Sequence, residues 1–258
     1  LDIITPTKIP RKERKMKILL APSETKSTGG TIPFSLTELW NNELFEARFK
    51  LAQIYLEELK DDARSKQMFG LKKPGEIAYY QSVGLHSLAT KAMKRYTGVA
   101  FDYLNYSSLN DKQQKYIDEN VIIFSNLFGP IMAGDLIPEY RLAQGSKVGE
   151  LEVDKYYHAN SAKLLDEYLA DEEILDIRAG YYDRFYVPSR AYTTLKFVKD
   201  GKVVSHWAKA YRGKVLREIA KAGAKNIEGF MALPIEGLSL SEIQTRKNKT
   251  EIIYIIGE

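Results

Sequence analysis

Cationic and hydroxyl side chains gather in this chain where strands and helices are predicted to end: Ser23, Thr25 and Lys26; Arg95, Tyr96, Thr97 and Gly98; Tyr140 and Arg141; Arg178; and Lys209 with Arg212. Guanidinium forks, ammonium groups, hydroxyls and backbone N–H groups are what phosphates attract. Each group alone reads as an ordinary solvated surface. Converging loops would turn them into an anion-binding pocket or groove. The carboxylates Glu24, Asp135, Glu139 and Asp176 occupy the same loops. They would orient the arginines, the commoner case, or serve as general acid or base. The sequence contains no Ser-His-Asp relay pattern, dinucleotide fingerprint, Walker loop or zinc deaminase signature. With no cysteine, disulfides, a Cys-based zinc site and a Cys nucleophile are excluded. The three histidines, His86, His158 and His206, lack metal-ligand spacing. The expectation is therefore no metal and no cofactor.

Buried strands would have to carry these loops. Lys17 to Ala21 reads as a first strand feeding Pro22-Ser23-Glu24-Thr25-Lys26-Ser27. The apolar run Val121-Ile122-Ile123-Phe124 reads as another, breaking into a loop with Gly129-Pro130, Gly134 and Pro138 before Tyr140 and Arg141. A third is expected at 174–177, ending at Arg178. Asp200-Gly201 between two alternating runs, 193–198 and 203–208, predicts a β-hairpin. A basic amphipathic helix then carries Lys209 and Arg212 to about Ala222. Final strands are expected at 230–233 and 251–256. Ser35, with Glu38 three residues on, predicts the capped start of a long helix over 36–59. A shorter helix is expected over 61–69, others over 86–95, 111–119 and 159–169, and extended chain over 99–103.

The 61–69 helix is followed by the turn Phe69-Gly70-Leu71-Lys72-Lys73-Pro74-Gly75 and a helical stretch at 76–83. Helix, glycine-bearing turn, helix is the form of a helix-hairpin-helix element, in which backbone N–H groups and lysines such as Lys72 and Lys73 grip a DNA backbone without reading bases. A plain helix-helix turn fits the same residues and is favoured on sequence alone, because the hairpin has no Gly-hydrophobic-Gly triplet.

The 258 residues suit one large domain or two small ones. Helices and strands alternate irregularly, which points to a mixed α/β or α+β domain rather than a clean doubly wound sheet. The formal charge of +4, from 38 basic against 34 acidic residues, mildly favours a polyanionic partner. No apolar run reaches the roughly 18 residues that a membrane helix needs, so no membrane partner is expected. Residues 1–15 are polar and end in a basic cluster, and Met16 resembles a natural start. They are read as a disordered or artificial upstream extension, leaving 16–258 as one domain.

In order along the chain, MKILLAPSETKS, RYTGVAFDYL, FSNLFGPIMAGDLIPEYRLAQG, LDIRAGYYDRF, KAYRGKVLRE and NIEGF resemble the peroxide stress protein YaaA family. The resemblance covers Met16 to the C-terminus. It implies a cytoplasmic bacterial protein induced by hydrogen peroxide that limits iron-driven damage to DNA and protein. It also implies a single α/β architecture with a helix-hairpin-helix-like element and a basic cleft able to bind duplex DNA. Arg95, Tyr96, Gly98, Tyr140, Arg141, Lys209, Arg212 and Gly213 stand where the family motifs place them. The first loop, PSETK, departs from the family pattern, as does the hairpin at Gly70. The expected anion- or DNA-binding set is thus Lys26, Lys72, Lys73, Arg95, Tyr96, Tyr140, Arg141, Arg178, Lys209 and Arg212. A stress-protective DNA-binding protein is the first expectation. An enzyme acting on a nucleotide, nucleobase or phosphorylated small molecule in the same cleft is the second. Direct iron binding is the third, disfavoured because ferritin-like Glu-x-x-His motifs are absent.

Overall fold

The computed structural model describes residues 15–257, with Ser205 and His206 described through their backbone only. The upstream extension expected at 1–15 lies outside the described residues apart from Lys15. Eight strands form one sheet: β1 (Met16–Leu20), β2 (Val121–Ser125), β3 (Gly129–Met132), β4 (Glu173–Asp176), β5 (Tyr192–Lys199), β6 (Lys202–Val203), β7 (Leu238–Arg246) and β8 (Lys249–Ile256). Every residue of β1 and β2 is buried. Strands buried on both faces read as unbroken apolar runs, and they need hydrogen-bonding neighbours. The order is β7-β8-β5-β4-β1-β2-β3, with β6 beside β5. The pairs β1/β2, β1/β4, β4/β5 and β5/β8 are parallel. Antiparallel pairs finish both edges, β2/β3 on one side and β7/β8 on the other. The mixed α/β architecture expected from the sequence is what forms, with a centre more parallel than the irregular element order implied.

Nine helices surround this sheet among the described residues: α1 (Phe45–Glu58), α2 (Asp62–Phe69), α3 (Pro74–Val83), α4 (Ala92–Arg95), α5 (Val99–Leu104), α6 (Asp111–Asn120), α7 (Val153–Tyr168), α8 (Ser205–Ala222) and α9 (Ile227–Met231). The first six lie between β1 and β2. From β1 the chain reaches β2 on one side, and later β4 on the other. The strand order therefore reverses at β1 and β4, which opens a crevice beyond their C-terminal ends.

Several expected elements take another form, each for a local reason. The long helix over 36–59 is broken into 3-10 turns at Leu36–Glu38 and Asn42–Leu44 before α1 begins. Asn41 has φ 58°, and its side chain accepts from the Glu43 N–H. Buried Arg48 reaches back to bind the carbonyls of Trp40 and Asn41, which a continuous helix would have used itself. Ser35 makes no capping bond and instead faces the Thr37 hydroxyl. Of the helix expected over 86–95 only α4 forms, because Thr90–Lys91 pairs with Leu136–Ile137 as a short ribbon. The extended chain expected at 99–103 is α5, and the strand expected at 230–233 overlaps α9, which Asn226 caps through the Gly229 N–H. The Asp200-Gly201 hairpin forms with both residues at positive φ, but its second strand stops at Val203 and α8 starts at Ser205.

Candidate functional site

At the crevice, the loop after β1 is zipped to the segment before α5. Ser27 N–H donates to the Arg95 carbonyl at 2.8 Å and Thr97 N–H to the Thr25 carbonyl at 3.2 Å. The Thr25 hydroxyl donates to the Thr97 carbonyl and lies 3.1 Å from Ser23 Oγ. Behind this zipper sits a cavity of about 370 Å³. Its walls are Leu20, Val99, Phe101 and Ile177, with Tyr182, Gln144 and the Ser23 and Thr25 loop at its edge. A second cavity of about 480 Å³ adjoins it, bordered by β5, β8 and the residues after β4. Ala179, Lys209 and Arg212 line both.

Several of the expected anion-facing residues are committed elsewhere. Arg95 has no exposed surface; its guanidinium donates to the carbonyls of Ser27, Gly29, Leu88 and Ile137 at 2.6–3.3 Å. Arg178 is buried against Asp176 in a bidentate pair of 2.9 and 2.6 Å. It also donates to the Tyr182 and Tyr186 carbonyls and lies 4.3 Å from the centre of the Phe124 ring. Tyr140, expected in the anion- or DNA-binding set, is buried, and its hydroxyl is 2.8 Å from those of Tyr96 and Ser125. Burial pushes the Tyr140 phenol up to about 12 and raises Tyr96 as well, so both stay neutral. Arg141 binds the Phe69 carbonyl, the Glu24 carbonyl and the Glu24 carboxylate at 2.9–3.1 Å, while the other Glu24 oxygen accepts from Gln144 N–H. Arg141 thus joins the end of α2 to the loop after β1. The physical reason is common to all five: a side chain largely withdrawn from water must find partners inside the protein, and these find carbonyls, a carboxylate or hydroxyls.

Lys26 is partly exposed by surface area, yet its ammonium is enclosed. It donates to the Ser23 and Glu24 carbonyls and lies 4.0 Å from the Tyr140 ring centre and 5.1 Å from that of Tyr96. Burial, with the Arg141 charge adding to it, lowers this amine to about 7. The carboxylates proposed for acid or base work hold structure as well. Asp135 accepts from the Trp40 and Met132 N–H groups, Glu139 from the Tyr79 hydroxyl, and Asp176 from Arg178.

Arg212 differs from the other arginines. Its Nε–H is buried and meets no acceptor, and its guanidinium forms no ion pair among the described residues. Burial lowers its affinity for its proton; Asp176 nearby works the other way, but both oxygens of that carboxylate are taken by Arg178. An orphaned buried donor costs about 1–3 kcal/mol, and the remainder of the guanidinium borders both cavities, where an acceptor could meet it. Lys209 lies three residues away on the same helix, exposed, on the same cavity wall. Gly213 explains how α8 comes so close. A Cβ there would lie 2.0 Å from the Ala100 carbonyl oxygen, so only glycine lets α8 cross α5 at this distance. Phe101, Gln144, Ile177 and Tyr182 were not singled out from sequence. Apolar and amide residues at strand ends carry no signal separating a cavity wall from core.

Lys72 and Lys73 stand apart from the cavity, exposed on the turn between α2 and α3. Gly70, at φ 63°, takes the left-handed conformation that ends α2, and Lys73 precedes Pro74 at the start of α3 and pairs with Glu76 at 3.1 Å. The turn is not isolated from the crevice. Ala143 N–H donates to the Met68 carbonyl, and the next residue, Gln144, lines the cavity. A larger cavity of about 610 Å³ lies at the other end of β1, among surface lysines of which Lys115 and Lys221 pair with Glu119 and Glu218.

Comparison with known proteins adds the family. A family model described as peroxide stress protein YaaA matches residues 16–244. An uncharacterised protein of Campylobacter jejuni is 42% identical, over 93% of this chain and 99% of its own length. A UPF0246 protein of Corynebacterium efficiens is 34% identical over 80% of this chain and 85% of its own. Another, from Corynebacterium glutamicum, is 32% identical over 92% of this chain and its entire length.

Proposed function

The chain belongs to the peroxide stress protein YaaA family, and from that premise we propose that it protects a bacterial cytoplasm by binding duplex DNA, limiting iron-driven damage. The observation that carries the DNA reading is the Arg141 stitch. By holding Phe69 and Glu24 together, Arg141 makes the Gly70 turn and the crevice loop one continuous framework. Lys72 and Lys73 then serve as helix-hairpin-helix phosphate contacts on that framework, and Lys209 as a further contact at the crevice mouth. Such contacts hold a backbone without reading its bases. Limitation of iron damage comes from the family resemblance.

The test is fluorescence anisotropy of the full chain with duplexes of unrelated sequence at two salt concentrations. Binding should weaken steeply with salt, because each neutralised phosphate releases counterions. Lys72→Glu with Lys73→Glu should weaken all duplexes alike. Absent or salt-independent binding would sink the DNA reading.

Arg212 favours a second reading: an enzyme acting on a nucleotide, nucleobase or phosphorylated small molecule held in the crevice. Nucleic acid lying along an outer face has no need of a half-buried guanidinium set between two cavities with its Nε–H unmatched.

A further inference from the structure

We propose that the crevice is a binding site for one nucleoside monophosphate, with the phosphate on Arg212 and Lys209 and the heterocycle in the 370 Å³ cavity. This rests on the second reading above and names its ligand. Three observations carry it. The first is the donor set. The Arg212 guanidinium, which borders both cavities, and an ammonium one helical turn away offer more donors than a carboxylate can accept. The many acceptor positions of a phosphate match them. The second is charge. Asp176, the carboxylate that acts on Arg212, is chelated by Arg178, so the cationic charge at the junction has no full counterpart in the protein.

The third is the shape and chemistry of the adjoining cavity. Leu20, Val99, Phe101 and Ile177 give it an apolar surface that suits a flat ring. Gln144 and the Thr25 loop supply a few polar groups at the edge, the pattern of a pocket that recognises a heterocycle. Gly213 fixes the distance between the two halves, because it seats α8, which carries Lys209 and Arg212, directly on Ala100 of the opposite wall.

Isothermal titration calorimetry on the full chain tests this, with adenosine and guanosine 5′-monophosphates, the two nucleosides, inorganic phosphate and glucose 6-phosphate as probes. The expected result is one monophosphate per chain, with nucleoside and inorganic phosphate each about tenfold or more weaker. Arg212→Gln should weaken the monophosphate by about tenfold or more, and Arg212→Lys, which keeps the charge without the guanidinium fork, should also weaken it. Melting curves of both variants check that the fold is kept. Lys72→Glu with Lys73→Glu should leave monophosphate binding unchanged, which separates this site from duplex binding. Saturable binding of glucose 6-phosphate without any monophosphate binding would overturn the nucleoside assignment and leave the second reading standing. No binding of any probe by the unaltered chain would overturn both. Wild-type affinity in a folded Arg212→Gln would overturn the role of Arg212.

Discussion

Lys26 sits at the point where loop, tyrosines and arginine meet, and burial there loosens its hold on its proton. In the unfolded chain the amine keeps its proton to about 10.5, whereas in the folded chain it releases it near 7. Between those values the unfolded state binds more protons, so stability from this residue rises as pH climbs from about 7 to 10.5. Below pH 7 both states are protonated, and the folded state carries the full penalty of an enclosed ammonium. Thermal melts of the chain and of Lys26→Met across pH 6.5–10 check this: the parent should gain on the variant as pH rises. A constant difference would mean that the two carbonyls and the Tyr140 ring hold the ammonium charged throughout. The same residue-level logic explains why Arg95 and Arg178 looked like ligand contacts in sequence. An arginine beside a loop reads alike whether it faces water or four carbonyls. Only the fold of the chain around it, here the Ser27, Gly29, Leu88 and Ile137 carbonyls around Arg95, tells them apart. Arg212 was equally legible as a cation, but its lack of a partner was not, since that depends on Arg178 having claimed Asp176.

Elements set what the residues can do, and the crossing of α5 and α8 is the clearest instance. Gly213→Ala places a methyl on the Ala100 carbonyl, and helix interiors do not otherwise object to alanine. The expected outcome is a loss of about 1–3 kcal/mol in denaturant unfolding despite the better helix former, because α8 must move away from α5. Unchanged or improved stability would mean that the crossing relaxes freely. Sequence patterns located β1, β2, β4, most of β5 and the Asp200-Gly201 turn, because apolar runs and turn dipeptides are local signals. They failed where tertiary contacts decide. Extended chain was expected over 99–103, and packing against α8 accompanies a helix there instead. β7 was not expected, because Leu238 to Arg246 is exposed along most of its length and shows no buried face to read. α1 begins late because Arg48, nearly a full turn inside it, captures the carbonyls ahead of it.

At the scale of the molecule, the reversal of strand order at β1 and β4 creates the crevice, and the sheet beyond β5 keeps β4 in place. That outer part is asymmetric. β8 lies parallel against β5 and buries Ile252, Ile253, Tyr254 and Ile256, whereas β7 beyond it leaves Leu240 and Ile243 about half exposed. Burying the three isoleucines alone is worth about 5–9 kcal/mol, comparable with the roughly 5–15 kcal/mol net stability of an ordinary domain. A chain ending after Gly237 should therefore lose its cooperative thermal transition and collect in the insoluble fraction, its β5 edge left bare. Leu240→Ser with Ile243→Thr, on the exposed strand, should shift unfolding by no more than about 0.5 kcal/mol each. Measured together by circular dichroism melts, the pair separates two views of this hairpin. A folded, cooperative shortened chain would show that β8 is an appendage and that β1, β2 and β4 support the crevice by themselves. Collapse of the shortened chain beside a near-native double variant would show that the crevice depends on a strand far from it in the sheet, with β7 serving only to cover that strand.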